Sequence, residues 1–201
     1  MIVIIDYGMG NIHSVRKALE SCGGKVRVVD KAEDLKSAEK IILPGVGAFD
    51  DAMNELNKRA LTSAILHKIK SGVPFLGICL GMQLLFARSE EGKGAKGLGV
   101  FEGLVKGFTG TKDLKIPHIG WNQIKKQESC VLLEGVPDNS YVYFCHSYYP
   151  APRDKHTIAA VTDYGIDFPS LLCKDKVFGA QFHPEKSQKV GLQILKNFVE
   201  M

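Results

Sequence analysis

The stretch that most constrains this chain runs from Pro74 to Phe86 and reads PFLGICLGMQLLF. The apolar run from Pro74 to Ile78 has the length and the flanking residues of a buried strand. Cys79 follows between two glycines, and the apolar residues beyond them indicate the start of a buried helix. A strand, a tight turn with a central nucleophile and a helix make up a nucleophile elbow, so the stretch predicts an α/β fold with a reactive cysteine.

A second interpretation of Cys79 stays open at this point. Free cysteine packs as a small apolar residue, so Cys79 can equally be a buried structural residue. G-x-C-x-G is a weak pattern by itself, and only other parts of the chain can decide between the two. In favour of the reactive interpretation, a helix N-terminus favours the anionic form of a thiol.

The chain before this stretch alternates strands with helices. A glycine-rich turn after the first strand lacks the third glycine of a dinucleotide site, and Asn11 is the predicted N-cap of the helix that follows. This β-α-β-α-β order predicts a parallel sheet with helices on its faces. The predicted strands are Ile2–Ile5, Val26–Val29 and Ile41–Leu43, and the predicted helices are Ile12–Cys22, Glu33–Lys40 and Asp50–Lys70.

Short strands replace long helices in the second half. Glu90–Gly99 carries four glycines among charges and is predicted as a mobile surface loop. A closing helix is expected over Gln188–Val199, and a turn at Asp175 predicts a hairpin. The predicted strands are Leu104–Phe108, Leu114–Ile119, Val131–Leu133, Tyr141–His146, Thr157–Val161, Ser170–Cys173 and Val177–Phe182.

Length and composition exclude several classes. The 201 residues fit one domain over 1–201, and the net charge of +4 is scattered, which argues against nucleic-acid binding. No run is long enough for a membrane span, and an acid at position 6 argues against a signal peptide. The cysteines are odd in number and widely spaced, which predicts a cytoplasmic protein without disulfides or a metal site. They are Cys22, Cys79, Cys130, Cys145 and Cys173.

A catalytic cysteine needs a base, and His183 is the best candidate among six histidines. It follows a predicted strand and precedes Pro184 and Glu185. Residues i and i+2 of an extended segment point the same way, so Glu185 can orient the imidazole. Nucleophile, base and orienting carboxylate then form a generalised triad. Taken alone, His-Pro-Glu can also be a turn before a helix without a catalytic role.

Pro44-Gly45-Val46-Gly47 follows the third strand. Ligands bind at the carboxyl edge of a doubly wound sheet, where glycines allow close backbone approach. The segment is therefore either a plain loop or a wall of the Cys79 pocket that offers N–H groups to an oxyanion.

These motifs together resemble the class I (triad) glutamine amidotransferases, and the resemblance covers nearly the whole chain. It implies a flavodoxin-like α/β fold with a mostly parallel central sheet, flanking helices and an added antiparallel region in the second half. The elbow and the His-Pro-Glu are shared across the family. The stretches that carry the resemblance are Gly77–Gln83, His183–Glu185, Pro44–Gly47, Asp6–Asn11, Pro117–Asn122 and His146–Tyr149.

The resemblance implies roles for individual residues. Cys79 attacks the side-chain carboxamide of glutamine, His183 moves the proton, and Glu185 holds His183. No cofactor or metal is expected. The implied oxyanion donors are Leu80 and the loop of Gly45, Val46 and Gly47, and the implied glutamine-binding residues are Gln83, His146, Ser147 and Tyr148.

The resemblance also implies a partner. It is closest to glutaminase subunits that dock on a (β/α)₈-barrel cyclase, which receives the ammonia in histidine biosynthesis. Ile119 departs from the methionine more usual there. Trp121 suits a docking anchor, although a partly buried core aromatic is the alternative. The positions that match the interface are Asn11, Trp121, Asn122 and Lys186.

Three other functions stay open. The elbow alone also suits an amidotransferase subunit for anthranilate, aminodeoxychorismate, GMP or pyridoxal phosphate synthesis. A cysteine peptidase or chaperone on a flavodoxin-like sheet is disfavoured, because Leu80 rather than histidine follows Cys79. A non-catalytic scaffold is disfavoured by the presence of all three triad residues.

Overall fold

The computed structural model describes residues 1–109 and 114–201. The α-helices are α1 (Ile12–Ser21), α2 (Phe49–Lys58), α3 (Leu61–Lys70), α4 (Leu80–Gln83) and α5 (Gln188–Glu200). The strands are β1 (Ile2–Ile5), β2 (Val26–Val29), β3 (Lys40–Gly45), β4 (Phe75–Cys79), β5 (Gly103–Gly107), β6 (His118–Lys126), β7 (Ser140–His146), β8 (Tyr148–Pro152), β9 (Ile158–Asp163), β10 (Asp167–Lys174) and β11 (Val177–Ala180).

Nine of these strands form one sheet in the order β2-β1-β3-β4-β11-β10-β9-β6-β7. The strands from β2 to β11 are mutually parallel, and those from β11 to β7 are antiparallel. β5 and β8 pair separately. The predicted α/β fold, with a parallel region and an added antiparallel region, is confirmed. The last strand of the parallel region, β11, comes from the end of the chain and lies beside β4, the strand of the elbow.

Helices cover both faces of the sheet. Ile2 and Ile4 of β1 pack on the face covered by α1 and α5, whereas Val3 and Ile5 pack on the face covered by α2 and α3. Successive strand residues point to opposite faces, and β1 is apolar throughout because both of its faces are buried. None of the helices within the described residues has the length and apolar character that a membrane span requires.

Two predictions in the first half are wrong in detail. The single helix expected over Asp50–Lys70 is two helices, because Ala60 takes a left-handed conformation with φ +55° between α2 and α3. The third strand does not close at Pro44 but continues to Gly45. Proline is tolerated there because the pairing of β3 with β1 ends at Ile42, so no ladder bond from β1 needs its missing N–H.

Other boundaries also differ from the prediction. The region Glu33–Lys40 holds a 3₁₀ helix over Ala32–Ser37. Val131–Leu133 is a 3₁₀ turn rather than a strand: the Leu133 N–H bonds the Cys130 carbonyl at 2.9 Å, and the Asn197 side chain of α5 donates to the Leu132 carbonyl at 2.9 Å. The strand expected over Leu114–Ile119 begins only at His118, and β8 was not predicted. The helix after Cys79 is a single turn.

The segment Glu90–Gly99 has no helix or strand, but it is tied to the body of the protein. Glu91 accepts the N–H of Phe49 at 2.9 Å, at the start of α2. Leu98 is buried and donates its N–H to the Leu84 carbonyl at 2.8 Å. The segment is a surface loop, as predicted, with Leu98 buried and Glu91 bonded to the start of α2. Its predicted mobility stays a prediction.

Candidate active site

Cys79 stands on a strained turn at the end of β4. Its φ of +54° and ψ of −112° lie where residues with a side chain are rare, and α4 starts at the next residue. Strain of this kind persists only where the surrounding structure enforces it, and it is typical of functional sites. The strand, tight turn and helix predicted around Gly-x-Cys-x-Gly are confirmed, and the nucleophile role of Cys79 stays a prediction.

Contacts of the two flanking glycines enforce the turn. A Cβ atom on Gly81 would lie 1.8 Å from the Leu43 carbonyl oxygen of β3. A Cβ atom on Gly77 would lie 2.5 Å from the Gly81 carbonyl oxygen. The elbow therefore packs directly onto neighbouring backbone, and only glycine fits at these positions.

His183 and Glu185 form a buried pair next to β11. His183 Nδ1 lies 2.9 Å from Glu185 Oε1, and their side chains are 5% and 1% exposed. The pairing agrees with the prediction, but its reason is different: Glu185 lies in a 3₁₀ turn over Pro184–Lys186, not in an extended segment. Ser187 donates to the His183 carbonyl at 2.6 Å and holds that turn.

The electrostatics of His183 favour the imidazolium. Burial disfavours the charged form, but hydrogen bonds to Cys79 and Glu185 and their negative charges outweigh it and raise the pKa of His183 to about 10. The imidazole is therefore protonated at neutral pH and can act as a proton donor. This is the state a general acid beside a sulfur nucleophile requires.

Two further groups contact the sulfur of Cys79. Cys79 Sγ lies 3.8 Å from the Cys145 carbonyl oxygen, and Gln181 Nε2 donates to the sulfur at 3.8 Å. Sequence reasoning missed Gln181, although its position two residues before His183 is a signal that could have found it. The contacts come from β7 and from the end of β11, on the antiparallel side of the elbow.

The Gly45-Val46-Gly47 loop lies beside the elbow, as predicted. Gly45 is the register partner of Cys79 between β3 and β4. A Cβ atom on Gly45 would lie 2.6 Å from the Tyr7 hydroxyl, and Gly47 has φ +99°. Val46, between them, is 43% exposed. The loop is therefore close enough to Cys79 to line the space in front of its sulfur.

A cavity of about 310 Å³ opens in front of Cys79. It brings together most of the residues predicted for the nucleophile, base, oxyanion and glutamine-binding roles, with Glu185 directly behind His183. Glu91, Pro117 and Cys145 were not predicted. The lining residues are Val46, Gly47, Cys79, Leu80, Gln83, Glu91, Pro117, Cys145, His146, Ser147, Tyr148, His183 and Lys186.

The side chains of Gln83 and His146 make hydrogen bonds to other groups inside the protein. Gln83 Nε2 donates to the Tyr148 carbonyl at 2.9 Å and to Gln181 Oε1 at 3.1 Å. His146 pairs with His118, and burial lowers the pKa of His146 to about 3 and that of His118 to about 4. Both imidazoles are therefore neutral at physiological pH.

The four predicted interface residues lie in different places. Asn11 caps α1 by accepting the Ser14 N–H at 3.3 Å. Trp121 is 46% exposed on β6, so the core alternative for it is wrong. Asn122 is its half-buried neighbour. Lys186 reaches the cavity and places its ammonium 5.6 Å from the centre of the Tyr143 ring.

Comparison with known proteins places this geometry in a family. The family model for glutamine amidotransferase class-I matches residues 3–201. The imidazole glycerol phosphate synthase subunit HisH of Desulfitobacterium hafniense (strain Y51) is 50% identical over 198 residues, which cover 98% of this chain and 93% of the relative. The protein of the same name from Methanocaldococcus jannaschii is 51% identical over 202 residues, and the alignment covers 100% of both chains.

A solved structure shares the fold at low sequence identity. The structure of PurLQS from Thermotoga maritima aligns with a TM-score of 0.75 and 17% identity, over 99% of this chain and 95% of that one. At this identity the likeness concerns the fold alone.

Proposed function

Because this chain belongs to the class-I glutamine amidotransferases, we propose that it is the glutaminase subunit of an imidazole glycerol phosphate synthase. It hydrolyses glutamine to glutamate and ammonia and delivers the ammonia to a cyclase subunit. The choice of synthase rests on 50% and 51% sequence identity, along nearly the full chain, to the relatives with that name from Desulfitobacterium hafniense and Methanocaldococcus jannaschii. The same observation disfavours an anthranilate-type or other amidotransferase subunit.

The first chemical step uses Cys79 and His183. The sulfur attacks the side-chain carbonyl carbon of glutamine, and the C–N bond of the tetrahedral intermediate breaks. The imidazolium of His183 gives its proton to the departing nitrogen, so the products are ammonia and a γ-glutamyl thioester. Glu185, 2.9 Å from His183 Nδ1, keeps the ring oriented.

The second step hydrolyses the thioester. Neutral His183 takes a proton from water, whose oxygen attacks the thioester carbon. The C–S bond breaks, glutamate leaves, and the sulfur and the imidazolium return to their starting states. One proton carrier therefore serves both steps.

The oxyanion and the amino-acid end of glutamine have separate places in the cavity. The N–H of Leu80, at the start of α4, and an N–H of the Gly45-Val46-Gly47 loop are the proposed oxyanion donors, each worth roughly 3 kcal/mol in the transition state. The Ser147–Tyr148 backbone is the proposed contact for glutamine, with Gln83 supporting it from behind through the Tyr148 carbonyl.

The proposed partner is a (β/α)₈-barrel cyclase that docks beside the cavity. Support comes from an apolar patch on the outer face of β6 and β7, where Ile119, Trp121 and Tyr141 are 58%, 46% and 57% exposed. Contiguous apolar exposure of this kind marks an interaction site. Trp121 contacts Tyr143 edge to face at 6.0 Å, and Tyr143 lies under Lys186, so the patch connects with the cavity. Asn11 and Asn122 complete the proposed interface.

Two further properties belong to this proposal. One nine-stranded sheet holds the elements from both ends of the chain, which supports a single domain over 1–201. The five cysteines are all free, which supports a reducing, cytoplasmic environment.

The function is tested by measuring glutamate release from glutamine by this chain alone, with the cyclase subunit, and with cyclase plus its nucleotide substrate. We expect activity in the complex and little without it. An anthranilate synthase partner is the control and should give no activation. Activation by that partner instead of the cyclase would overturn the choice of synthase.

Replacing Glu185 by glutamine should lower kcat in the complex by about 10² to 10⁴ with little change in KM. The carboxamide keeps the shape but removes the charge that stabilises the imidazolium of His183. Steady-state kinetics checks this result. Glu128→Gln is the matched control, because it alters an exposed His–Glu pair, with Glu128 Oε1 3.2 Å from His156 Nδ1. A kcat within twofold of the native value for Glu185→Gln would contradict the orienting role.

A further inference from the structure

Two buried histidines lie in a chain of hydrogen bonds outside the triad. His118 of β6 and His146 of β7 are direct register partners, and His118 Nδ1 lies 3.1 Å from His146 Nε2. His146 Nδ1 lies 2.9 Å from the Tyr148 carbonyl oxygen. At the other end, Asn122 Nδ2 lies 3.4 Å from His118 Nε2. The chain thus runs from Asn122 through both imidazoles to the Tyr148 carbonyl.

A single arrangement of protons satisfies every contact in this chain. The Tyr148 carbonyl can only accept, so His146 Nδ1 donates to it and His146 Nε2 is an acceptor. His118 Nδ1 therefore donates to His146, and His118 Nε2 accepts from the amide of Asn122. Each ring carries one proton, in keeping with the burial that keeps both neutral. All donors in the chain point in one direction, from Asn122 towards Tyr148.

The inner end of the chain reaches the nucleophile. The Tyr148 carbonyl also accepts from Gln83 Nε2 at 2.9 Å, and the second hydrogen of that amide goes to Gln181 Oε1 at 3.1 Å. Gln181 Nε2 in turn donates to Cys79 Sγ at 3.8 Å. The Tyr148 carbonyl is therefore shared by the histidine pair and by the amides that contact the sulfur.

The outer end of the chain lies one residue away from the proposed docking surface. Asn122 follows exposed Trp121 on β6, but its side chain points to the opposite face of the sheet, where its amide also donates to the Asp163 carbonyl at 2.8 Å. His118 is held between the rings of Phe144 and Tyr164, with centroid distances of 4.8 and 3.9 Å. His118 and Asn122 lie on the same face of β6 with Asn122 Nδ2 3.4 Å from His118 Nε2, so a displacement of Asn122 acts directly on the His118 ring.

We propose that His118 and His146 are positioning residues that couple docking on β6 to the geometry of the Tyr148 backbone and Cys79. This inference rests on the proposed function and adds the route by which the partner acts on the glutaminase site. Docking fixes the position of Asn122, and the histidine pair transmits it to the Tyr148 carbonyl. The position of that carbonyl then fixes the glutamine-binding backbone and the amides behind Cys79.

The test is a double-mutant cycle with His118→Phe and Asn122→Ala, measured in the complex with saturating cyclase. The readout is the activation ratio, which is the glutaminase kcat/KM in the complex divided by that of the free subunit. Each single variant should lower the ratio by about tenfold. Adding Asn122→Ala to His118→Phe should lower it by less than about twofold further, because the route is already broken.

Ile124→Ala is the control for lost packing, because Ile124 is buried on the same strand and belongs to no part of the chain of hydrogen bonds. It should lower thermal stability and leave the ratio within twofold. Asn122→Ala changes a half-buried side chain, so it still tests the proposal if His118→Phe does not fold. As a second measurement, ring ¹⁵N shifts should show the Nδ1–H tautomer for both histidines.

The outcomes separate this inference from the proposed function. An active wild-type complex with an unchanged ratio in a folded His118→Phe or Asn122→Ala variant overturns the inference alone. Strictly multiplicative losses in the cycle, or an Nε2–H tautomer on either ring, also overturn it. A wild-type complex without glutaminase activity overturns the proposed function and this inference with it.

Discussion

Replacing Cys79 by alanine should lower glutamine-dependent activity of the complex by at least about 10⁴-fold. The sulfur is the proposed nucleophile, and no other side chain lining the cavity stands on the strained turn at the end of β4. The same complex supplied with ammonium salt should still form the cyclase product, because the partner's chemistry needs ammonia and not its source. The two rates are measured on one preparation.

Cys22→Ala is the matched control. It removes a partly exposed thiol that donates to the Leu192 carbonyl at 3.4 Å, at the end of α1 and outside the cavity. Its glutamine-dependent rate should stay within twofold of native. Residual glutamine hydrolysis above about 1% in Cys79→Ala would contradict the thioester mechanism, and loss of the ammonia-dependent rate would point to a folding defect instead.

Replacing Gly81 by alanine should destabilise the fold by more than about 3 kcal/mol. The new methyl group would lie 1.8 Å from the Leu43 carbonyl oxygen, and that atom is backbone in the centre of the parallel sheet. Relief requires α4 to move off β3 and β4. Thermal melting of the isolated chain measures the effect, and a fall in Tm of roughly 10 °C corresponds to this loss at 201 residues.

Gly23→Ala separates the steric effect from backbone strain. Gly23 has φ +84° and a Cβ atom there would meet nothing within 4 Å, so only the cost of a left-handed alanine remains, roughly 1–2 kcal/mol. A Gly81→Ala protein as stable as Gly23→Ala would show that the elbow can relax. In that case its glutaminase rate would report whether Cys79 keeps its position.

The parallel half of the fold could be predicted because its signals are local. β1 and β2 have the predicted bounds, since each is a short run of strand-forming residues closed by turn residues. The break at Ala60 could not be predicted, because Arg59-Ala60 contains neither glycine nor proline. Val131–Leu133 has a strand-like composition, yet the Asn197 amide of α5 bonds the Leu132 carbonyl, and α5 lies more than fifty residues away.

The chemistry of the site was visible as residue types, but its contacts were not. Gly-x-Cys-x-Gly and His-Pro-Glu are each compact in sequence, so candidates for the nucleophile, the base and the orienting carboxylate could be named. Glu91 carries no such signal, and the only signal for Gln181 is its position two residues before His183, because each becomes part of the site through partners far along the chain.

The sequence by itself determined which segments are strands of the parallel sheet and where the strained turn lies. It also determined which residues are candidates for proton transfer and for nucleophilic attack. These properties follow from local apolar patterns, glycine spacing and side-chain chemistry. Only the tertiary structure decided that β11 lies beside β4 and so brings His183 to Cys79, that His118 opposes His146, and that Trp121 is exposed. Strand order and cross-strand register depend on contacts between distant segments, and a local pattern cannot encode which strand another will pair with.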